Sequence, residues 1–328
     1  MADTNIEWTR GADGSRGKTW NPTRGCSRIS PGCKNCYAER QALRQKNTGY
    51  KGLVHIVNGH PAWTGEVRMV EKRIADPLHW LDPKNIFVNS MSDLWHEKLS
   101  SGDQIDVYAV MAAANWHNYQ VLTKRPELRL DSFSDSRFSE QVEDCAIDII
   151  ANWEGKANWV DWKFQWPLPN VWEGASVEDP LRKNRIDLLR QTPAAIRFLS
   201  IEPLLEDIGE LDLTGIHWVI VGGESGPGAR PFDIAWARRI KVQCDAQGIP
   251  FFFKQAGALP IMREDAWRFF TPTPLLSARN HGRCPEGYVP LQLGGKKGGD
   301  WDQWPTVMHD LRVREFPNTS ILRSANGL

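Results

Sequence analysis

The sequence lacks a long apolar run, a net charge and any internal repeat. No stretch approaches the roughly 20 apolar residues that span a bilayer, so we expect neither a membrane-spanning helix nor a membrane partner. Residues 1–5 carry neither the charged nor the apolar segment of a secretion signal, which predicts a cytoplasmic protein. Because 40 Lys and Arg residues balance 40 Asp and Glu residues, the chain has no basic excess for gripping long duplex DNA through its phosphates.

The composition is that of a globular protein with two unusual features. The 328 residues are 41% hydrophobic and 24% charged. This length suits one (β/α) barrel of about 250 residues with additional segments, or two smaller domains. The unusual features are 16 tryptophans and six cysteines, three of which share one short segment. In a reducing compartment such a group predicts a metal site and not a disulfide framework.

Short apolar runs alternate with helical patterns along most of the chain. The runs are residues 67–70, 85–89, 119–122, 171–175, 196–199, 218–221 and 250–253. Nearly continuous apolar strands separated by helices are typical of a parallel sheet that is covered on both faces. We therefore predict an α/β fold, a (β/α) barrel that is complete or partial. The barrel domain would span residues 1–257, with a Trp-rich insertion at 132–166, and an irregular C-terminal extension would pack on it over 258–328.

Polar residues follow these runs, where the carboxyl ends of parallel strands meet and chemistry is usually built. Single residues of this kind also cap the following helix. Lysine is not an N-cap residue, however, so the whole set favours a binding pocket. The candidate binding residues at these strand ends are Ser90, Asp93, Lys124, Ser176, Glu178, Ser200, Glu202, Gly223, Glu224 and Lys254.

Cys26, Cys33 and Cys36 form the strongest local motif, with the spacing C-x6-C-x2-C in a polar segment rich in turn residues. Three thiolates without an evident fourth partner suit an iron–sulfur cluster that is held at three irons and open at the fourth. A structural zinc site is the alternative, but it needs a fourth ligand. Free or redox-active thiols are a further alternative.

Together these motifs resemble the bacteriophage three-cysteine-motif family of phage and prophage gene products. The matching segments are residues 20–22, 25–26, 32–33, 36–39, 90–96, 122–126, 174–178, 199–205, 221–231 and 252–255. That family in turn resembles the radical S-adenosylmethionine enzymes, in which a three-cysteine loop follows the first strand of a TIM-like barrel. Their usual spacing is C-x3-C-x2-C, with an aromatic residue before the last cysteine. Here the first gap is longer, and the aromatic residue, Tyr37, follows Cys36.

The resemblance implies that Cys26, Cys33 and Cys36 bind a [4Fe–4S] cluster whose open iron takes S-adenosylmethionine. One electron would then cleave the sulfonium, and the resulting radical would abstract hydrogen from a substrate. Tyr37 and the strand-end residues would contact the cofactor or the substrate; the sequence identifies no catalytic residue. A phage setting suggests that a nucleotide or nucleic acid is modified. A partner protein named for the same motif is often encoded beside such proteins, which suggests a heteromeric complex.

Two other functions remain open at this point. One is a zinc- or cluster-bearing nucleic-acid-binding module without catalysis, in which tryptophans stack on unpaired bases. The other is a metal-dependent hydrolase in which strand-end carboxylates hold a divalent ion. The hydrolase would use Asp93, Glu178, Glu202 and Glu224, and it leaves the cysteine loop without a purpose.

Overall fold

The structure, a computed structural model, describes residues 3–11, 13–159, 162–270, 284–291, 293 and 297–318. Its strands are β1 (Lys18–Trp20), β2 (Thr23–Arg24), β3 (Val54–Val57), β4 (His60–Trp63), β5 (Arg68–Met69), β6 (Asn85–Val88), β7 (Asn118–Thr123), β8 (Val171–Ser176), β9 (Ile196–Ile201), β10 (Trp218–Gly222), β11 (Phe232–Asp233), β12 (Phe251–Gln255), β13 (Pro260–Arg263) and β14 (Tyr288–Pro290). Its α-helices are α1 (Tyr37–Arg44), α2 (Ser101–Ala113), α3 (Pro126–Ser134), α4 (Ser136–Asn152), α5 (Asn184–Gln191), α6 (Ile234–Gln247) and α7 (Glu264–Phe270). None of the helices in these described segments has both the length and the apolar character to cross a membrane.

The fold is mixed α/β, as predicted, and is built on one sheet with the strand order β1-β6-β7-β8-β9-β10-β12. The pairs β1–β6, β6–β7, β7–β8, β9–β10 and β10–β12 are parallel, which confirms the expected parallel sheet. One predicted strand is placed differently: residues 67–70 contribute β5, which pairs antiparallel with β2 outside this sheet. The first strand of the sheet is instead β1, which is too short and too polar to give an apolar signal in the sequence.

The chain divides into two compact units, and neither coincides with the predicted 1–257 and 258–328 segments. As far as the structure describes them, the first comprises residues 3–175 and 185–197, and the second comprises 176–184 and 198–318. The predicted domain boundaries therefore stay a prediction. Part of the expected C-terminal extension, residues 271–283, 292, 294–296 and 319–328, lies outside the described residues.

In the first unit, one face of the sheet packs against α2. Trp20, Val88 and Val121 belong to the same buried cluster as the apolar residues of this helix. A capping box starts α2, since the Ser100 side chain accepts the Asp103 N–H while Asp103 accepts the Ser100 N–H. This packing fixes the carboxyl ends of β6 and β7, where the segments 89–97 and 123–125 begin.

The Trp-rich stretch 132–166 contains α4 and the segment after it. Trp159 and Trp162 are half-buried and donate their indole N–H groups to the carbonyls of Ala113 and Ala112, at 2.6 and 2.9 Å. These carbonyls belong to the last turn of α2, which has no intrahelical donors for them. The two tryptophans therefore pack on α2 and cap its last turn.

In the second unit, the edge strand β12 is covered by the chain near its C-terminal end. Phe253 N–H donates to the carbonyl of Val313 at 2.8 Å, and Phe251 N–H donates to the Glu315 carboxylate at 2.9 Å. Phe251 and Phe253 are fully buried. The described part of the extension thus closes a sheet edge that would otherwise expose unpaired backbone groups.

Candidate metal centre at the cysteine loop

The cysteine loop, residues 26–36, begins close behind the first strand of the sheet. Cys26 follows β2 and Gly25, Cys33 ends a 3₁₀ helix over Pro31–Cys33, and Cys36 is the N-cap residue of α1. The loop therefore has defined secondary structure at each thiol. All three cysteines are half-buried and free of disulfides.

Gly25 fixes the entry to the loop. Its φ of +92° lies in the region that favours glycine, and a Cβ at this position would lie 2.1 Å from the carbonyl oxygen of Glu66. Gly25 also forms a parallel bridge to Ser92, which lies beyond the end of β6. Only a residue without a side chain allows the backbone to pass between these segments and deliver Cys26.

The three thiols lie within electrostatic reach of one another. Burial raises the pKa of Cys26 to about 12; Asp93, Cys36 and Cys33 act in the same direction, whereas Arg125 opposes them. Burial also raises the pKa of Cys36. Cys26 and Cys36 pack against one apolar cluster, which consists of Ala38, Ala42, Tyr50, Leu53, Val54, Trp63 and Met91.

The three thiols are not arranged as a complete set of metal ligands. Within the described segments, no group of three or more His, Cys, Asp or Glu side chains is arranged to hold a metal ion. Loops of this kind close around their metal, because binding deprotonates the thiols and contributes folding free energy. A metal or cluster at this site would therefore have to displace the thiol protons and bring the three sulfurs together.

An ion pair connects the two ends of the loop. Arg28 Nε and Nη2 donate to the two carboxylate oxygens of Glu39 at 2.7 and 2.5 Å, in a bidentate arrangement. Glu39 also accepts the Trp63 N–H at 3.2 Å, and its side chain is 2% exposed. Arg28 lies two residues after Cys26, and Glu39 lies three residues after Cys36 in α1, so this pair connects the start of the loop to the helix that follows it.

Asp93, a predicted binding residue, organises the ends of β6 and β7. Its Oδ1 accepts from the Thr123 hydroxyl at 2.7 Å, and its Oδ2 accepts from the Lys124 N–H and Arg125 Nη1, both at 3.1 Å. Oδ1 also accepts the Trp95 N–H at 3.1 Å. Asp93 follows β6, is buried, and accepts hydrogen bonds from the end of β7. Its carboxylate therefore connects the two strand ends.

Arg125 occupies the space between Asp93 and the start of the cysteine loop. Its Nε donates to Glu97 at 2.7 Å, its Nη2 donates to the Ser27 hydroxyl at 2.7 Å, and its Nη1 lies 4.0 Å from Cys26 Sγ. Burial alone would lower the pKa of Arg125, but Asp93, Cys26 and Glu97 raise it above its usual range. The guanidinium is therefore a permanent buried charge beside Cys26.

Ser27 lies at the centre of this network. His96 Nδ1 accepts the Lys98 N–H at 3.2 Å, so a neutral ring carries its proton on Nε2, which donates to Ser27 Oγ at 3.0 Å. Burial and then the charge of Arg125 lower the pKa of His96, consistent with the neutral form. Ser27 in turn donates to Glu97 at 3.1 Å. Burial would raise the pKa of Glu97, but its own backbone N–H and Arg125 lower it to about 2.

Ser90 and Tyr37 attach the loop to the end of β6. The Tyr37 hydroxyl donates to the Ser90 carbonyl, although the tyrosine side chain remains half-exposed. The Asn21 amide donates to Ser90 Oγ at 3.2 Å, and Asn21 Oδ1 accepts the Met91 N–H at 2.9 Å. The structure thus places Tyr37, Ser90 and Asp93 near the cysteine loop in the first unit, whereas Lys124 is shown only to donate its backbone N–H to Asp93.

The other predicted binding residues belong to the second unit, where they lie at the ends of strands. Val177 N–H donates to the Ser200 carbonyl at 3.1 Å, and Gly223 N–H donates to the Gln255 carbonyl at 2.9 Å. Ser176, Glu178 and Ser200 are all buried. The members of this group are Ser176, Glu178, Ser200, Glu202, Gly223, Glu224 and Lys254.

An accessible ion pair lies among these strand ends. Lys254 Nζ donates to Glu202 Oε2 at 2.8 Å, and the Gln255 amide donates to Glu202 Oε1 at 3.3 Å. The Lys254 and Glu202 side chains are 20% and 17% exposed, so a ligand can reach both. Gln255 also donates to the Gly223 carbonyl at 3.1 Å, which fixes its amide.

Gly223 and Glu224 have structural partners of their own. A Cβ on Gly223 would lie 2.4 Å from the Ala256 carbonyl oxygen, so the close approach of the chain after β10 to the chain after β12 requires glycine. The buried Glu224 carboxylate accepts from Arg230 Nη2 at 2.6 Å, Nε at 3.1 Å and the Arg230 N–H at 2.9 Å. This segment therefore packs closely against the chain after β12 and contains an internal salt bridge.

The hydrolase hypothesis loses support from these contacts. Three of its four carboxylates are each paired with a basic side chain: Asp93 with Arg125, Glu202 with Lys254, and Glu224 with Arg230. A carboxylate already neutralised by a cation is a poorer ligand for a divalent ion.

Sequence reasoning did not identify Arg125, Glu97 and Arg28 as site residues. The sequence gives no signal for Arg125, because its partner Cys26 lies 99 positions away in the chain. Arg28 and Glu39 carry a weak signal, since opposite charges flank the first and last cysteines of the motif. That signal becomes specific only when α1 brings Glu39 back to Arg28.

The model of a family described as a protein of unknown function, DUF5131, matches residues 3–288. No curated protein and no solved structure matches the chain.

Proposed function

We propose that this chain, which belongs to the DUF5131 family, is an iron–sulfur enzyme of the radical S-adenosylmethionine kind. The observation that carries the proposal is the position of the cysteine loop, which follows the first strand of a parallel sheet with sequentially ordered strands. The finer fold in this proposal is a partial (β/α) barrel, whose strand order would be sequential in the same way.

The donor set suits a cluster better than a hard cation. The motif supplies soft thiol ligands, and two of them lie on an apolar cluster that lowers the local dielectric. Cys26, Cys33 and Cys36 would hold a [4Fe–4S] cluster and leave one iron open. When bound, such a cluster supplies one-electron reduction of the S-adenosylmethionine sulfonium.

The surrounding residues have roles that follow from their contacts. The Arg28–Glu39 pair fixes the separation of the loop ends, and Asp93 and Glu97 orient Arg125 towards Cys26. Tyr37 and Ser90 lie where the loop contacts the end of β6, and with Lys124 they remain our candidates for cofactor contacts.

In the second unit, we assign contacts with an anionic group to Lys254 and contacts with a hydroxyl or amino group to Glu202 and Gln255. The ion pair of Lys254 and Glu202 is accessible and presents one group of each charge. Ser176, Glu178, Ser200, Gly223 and Glu224 stay predicted contacts. A nucleotide or nucleic-acid substrate, a phage or prophage origin and a three-cysteine-motif partner protein belong to the proposal through the resemblance of the motifs alone.

Metal analysis of anaerobically purified protein tests the proposal. We expect about four irons with matching sulfide per chain and absorbance near 400 nm, together with reductive formation of 5′-deoxyadenosine from S-adenosylmethionine. Cys33→Ser and Cys36→Ser should lose the iron. The matched control Cys145→Ser, at a free half-buried cysteine on α4, should keep it.

Each alternative result has a defined meaning. Zinc without iron would replace the proposal with the nucleic-acid-binding module. Absence of both metals after cluster reconstitution would refute any metal centre at these cysteines. An iron–sulfur cluster that yields no 5′-deoxyadenosine would keep the centre and refute the radical chemistry.

A further inference from the structure

Arg125 brings a buried positive charge to the first cysteine of the loop. Its side chain is 3% exposed, and its Nη1 lies 4.0 Å from Cys26 Sγ, across 99 positions of sequence. This separation is within the range of a hydrogen bond to sulfur. The same guanidinium donates to the Ser27 hydroxyl at 2.7 Å, so it contacts two consecutive residues of the loop.

Two carboxylates prevent the guanidinium from turning away. Asp93 accepts Nη1 at 3.1 Å and Glu97 accepts Nε at 2.7 Å, while Asp93 is itself fixed by donors from the end of β7. Arginine has five N–H groups in a rigid plane, and here they are divided among two carboxylates, a hydroxyl and a thiol. Lysine at the same position would keep the charge but could not satisfy these partners together.

We propose that Arg125 is a positioning residue that orients Cys26 at the start of the loop and raises the reduction potential of the cluster that Cys26, Cys33 and Cys36 would bind. This inference rests on the proposed function. A positive charge and an N–H donor beside a ligating sulfur stabilise the reduced, more negative state of a cluster. Such a residue controls how readily the cluster accepts its electron.

The test is an EPR-monitored redox titration of the reconstituted full-length chain. It compares the wild type with Arg125→Gln, Arg125→Lys and the control Arg238→Gln. Arg238 makes a bidentate ion pair with Asp310 in the second unit, so its variant also loses a salt bridge. Iron and sulfide are measured on every sample, and circular dichroism reports the fold.

We expect Arg125→Gln to shift the ratio of oxidised to reduced cluster about tenfold towards oxidised at a fixed ambient potential. That shift corresponds to a midpoint about 59 mV more negative for a one-electron couple. Arg125→Lys should fall between this variant and the wild type, and Arg238→Gln should match the wild type. A purely structural residue would change stability or iron content without this graded change in potential.

The other outcomes separate the two proposals. A wild-type chain without a cluster refutes the proposed function itself. A loaded Arg125→Gln with the wild-type midpoint, or a more positive one, overturns the inference about Arg125 and leaves the function standing. Loss of fold in both Arg125 variants beside a loaded wild type would show that the residue only maintains structure, which also overturns the inference.

Discussion

Replacement of Glu39 by glutamine removes the negative charge that connects the two ends of the cysteine loop. Glutamine keeps an oxygen that can accept the Trp63 N–H, but its amide nitrogen replaces the carboxylate oxygen that accepts from Arg28 Nη2. Hydrogen bonds to charged groups contribute about 1.5–3 kcal/mol. Because the Arg28 side chain is 39% exposed and solvent screens it, we expect a loss of about 2 kcal/mol in the free energy of unfolding.

Arg28→Ala should lower the free energy of unfolding more than Glu39→Gln does. In Arg28→Ala the Glu39 carboxylate stays buried, with 2% of its side chain exposed, but it has lost its cation. An uncompensated buried charge costs about 3–5 kcal/mol, and screening places this variant near the lower end. In Arg28→Ala/Glu39→Gln the buried group is neutral, so the double variant should be less destabilised than the sum of the singles by about 1–2 kcal/mol.

Urea denaturation of the reduced, metal-free chain measures this coupling. The matched control is the surface pair Arg137 and Asp135, whose side chains are 79% and 42% exposed, and which should show no measurable coupling. If the Arg28 and Glu39 effects add within about 0.5 kcal/mol, the ion pair does not close the loop and the reasoning is wrong. In cluster-loaded protein the same variants should lose iron faster on exposure to a chelator.

Burial lowers the pKa of His117 to about 4. A proton on its Nδ1 would also break the hydrogen bond that this nitrogen accepts from the Lys84 N–H. As the pH falls, the unfolded state therefore takes up this proton first, and the free energy of unfolding should fall by about 3 kcal/mol between pH 6.5 and pH 4. Urea titrations should show that the free energy of unfolding of His117→Gln depends less steeply on pH. The same pH dependence in the variant and the wild type would contradict this prediction. Gly25→Ala should destabilise the chain and lower iron retention, since the new methyl meets the Glu66 carbonyl at 2.1 Å; wild-type values for both would refute the account of the loop entry. Gly223→Ala should lower the thermal midpoint, because its methyl meets a backbone oxygen at 2.4 Å, and an unchanged midpoint would argue against that close approach.

Local sequence patterns predicted the helices and strands whose structure depends mainly on their own residues. Asp233 caps α6 and Gly248 ends it in the left-handed conformation, both as their residue types suggest. The runs that became β10 and, after Asn85, β6 are nearly continuously apolar because both faces of a parallel sheet are covered. By contrast, residues 67–70 are interrupted by Arg68, and only the short strand β5 forms there. It pairs with β2 outside the main sheet, because strand pairing depends on partners that are distant in the chain.

The amino-acid sequence by itself determined the spacing of Cys26, Cys33 and Cys36, the alternation of strands and helices, and the polar residues that follow the strands. Only the tertiary structure decided which charges meet. The Arg125 guanidinium reaches Cys26 because β1, β6 and β7 are neighbours and end at the same edge of the sheet. The pairing of Lys254 with Glu202 has the same origin in the second unit. A strand's composition is a local property, whereas the partner of a side chain at its end depends on the order in which all strands assemble.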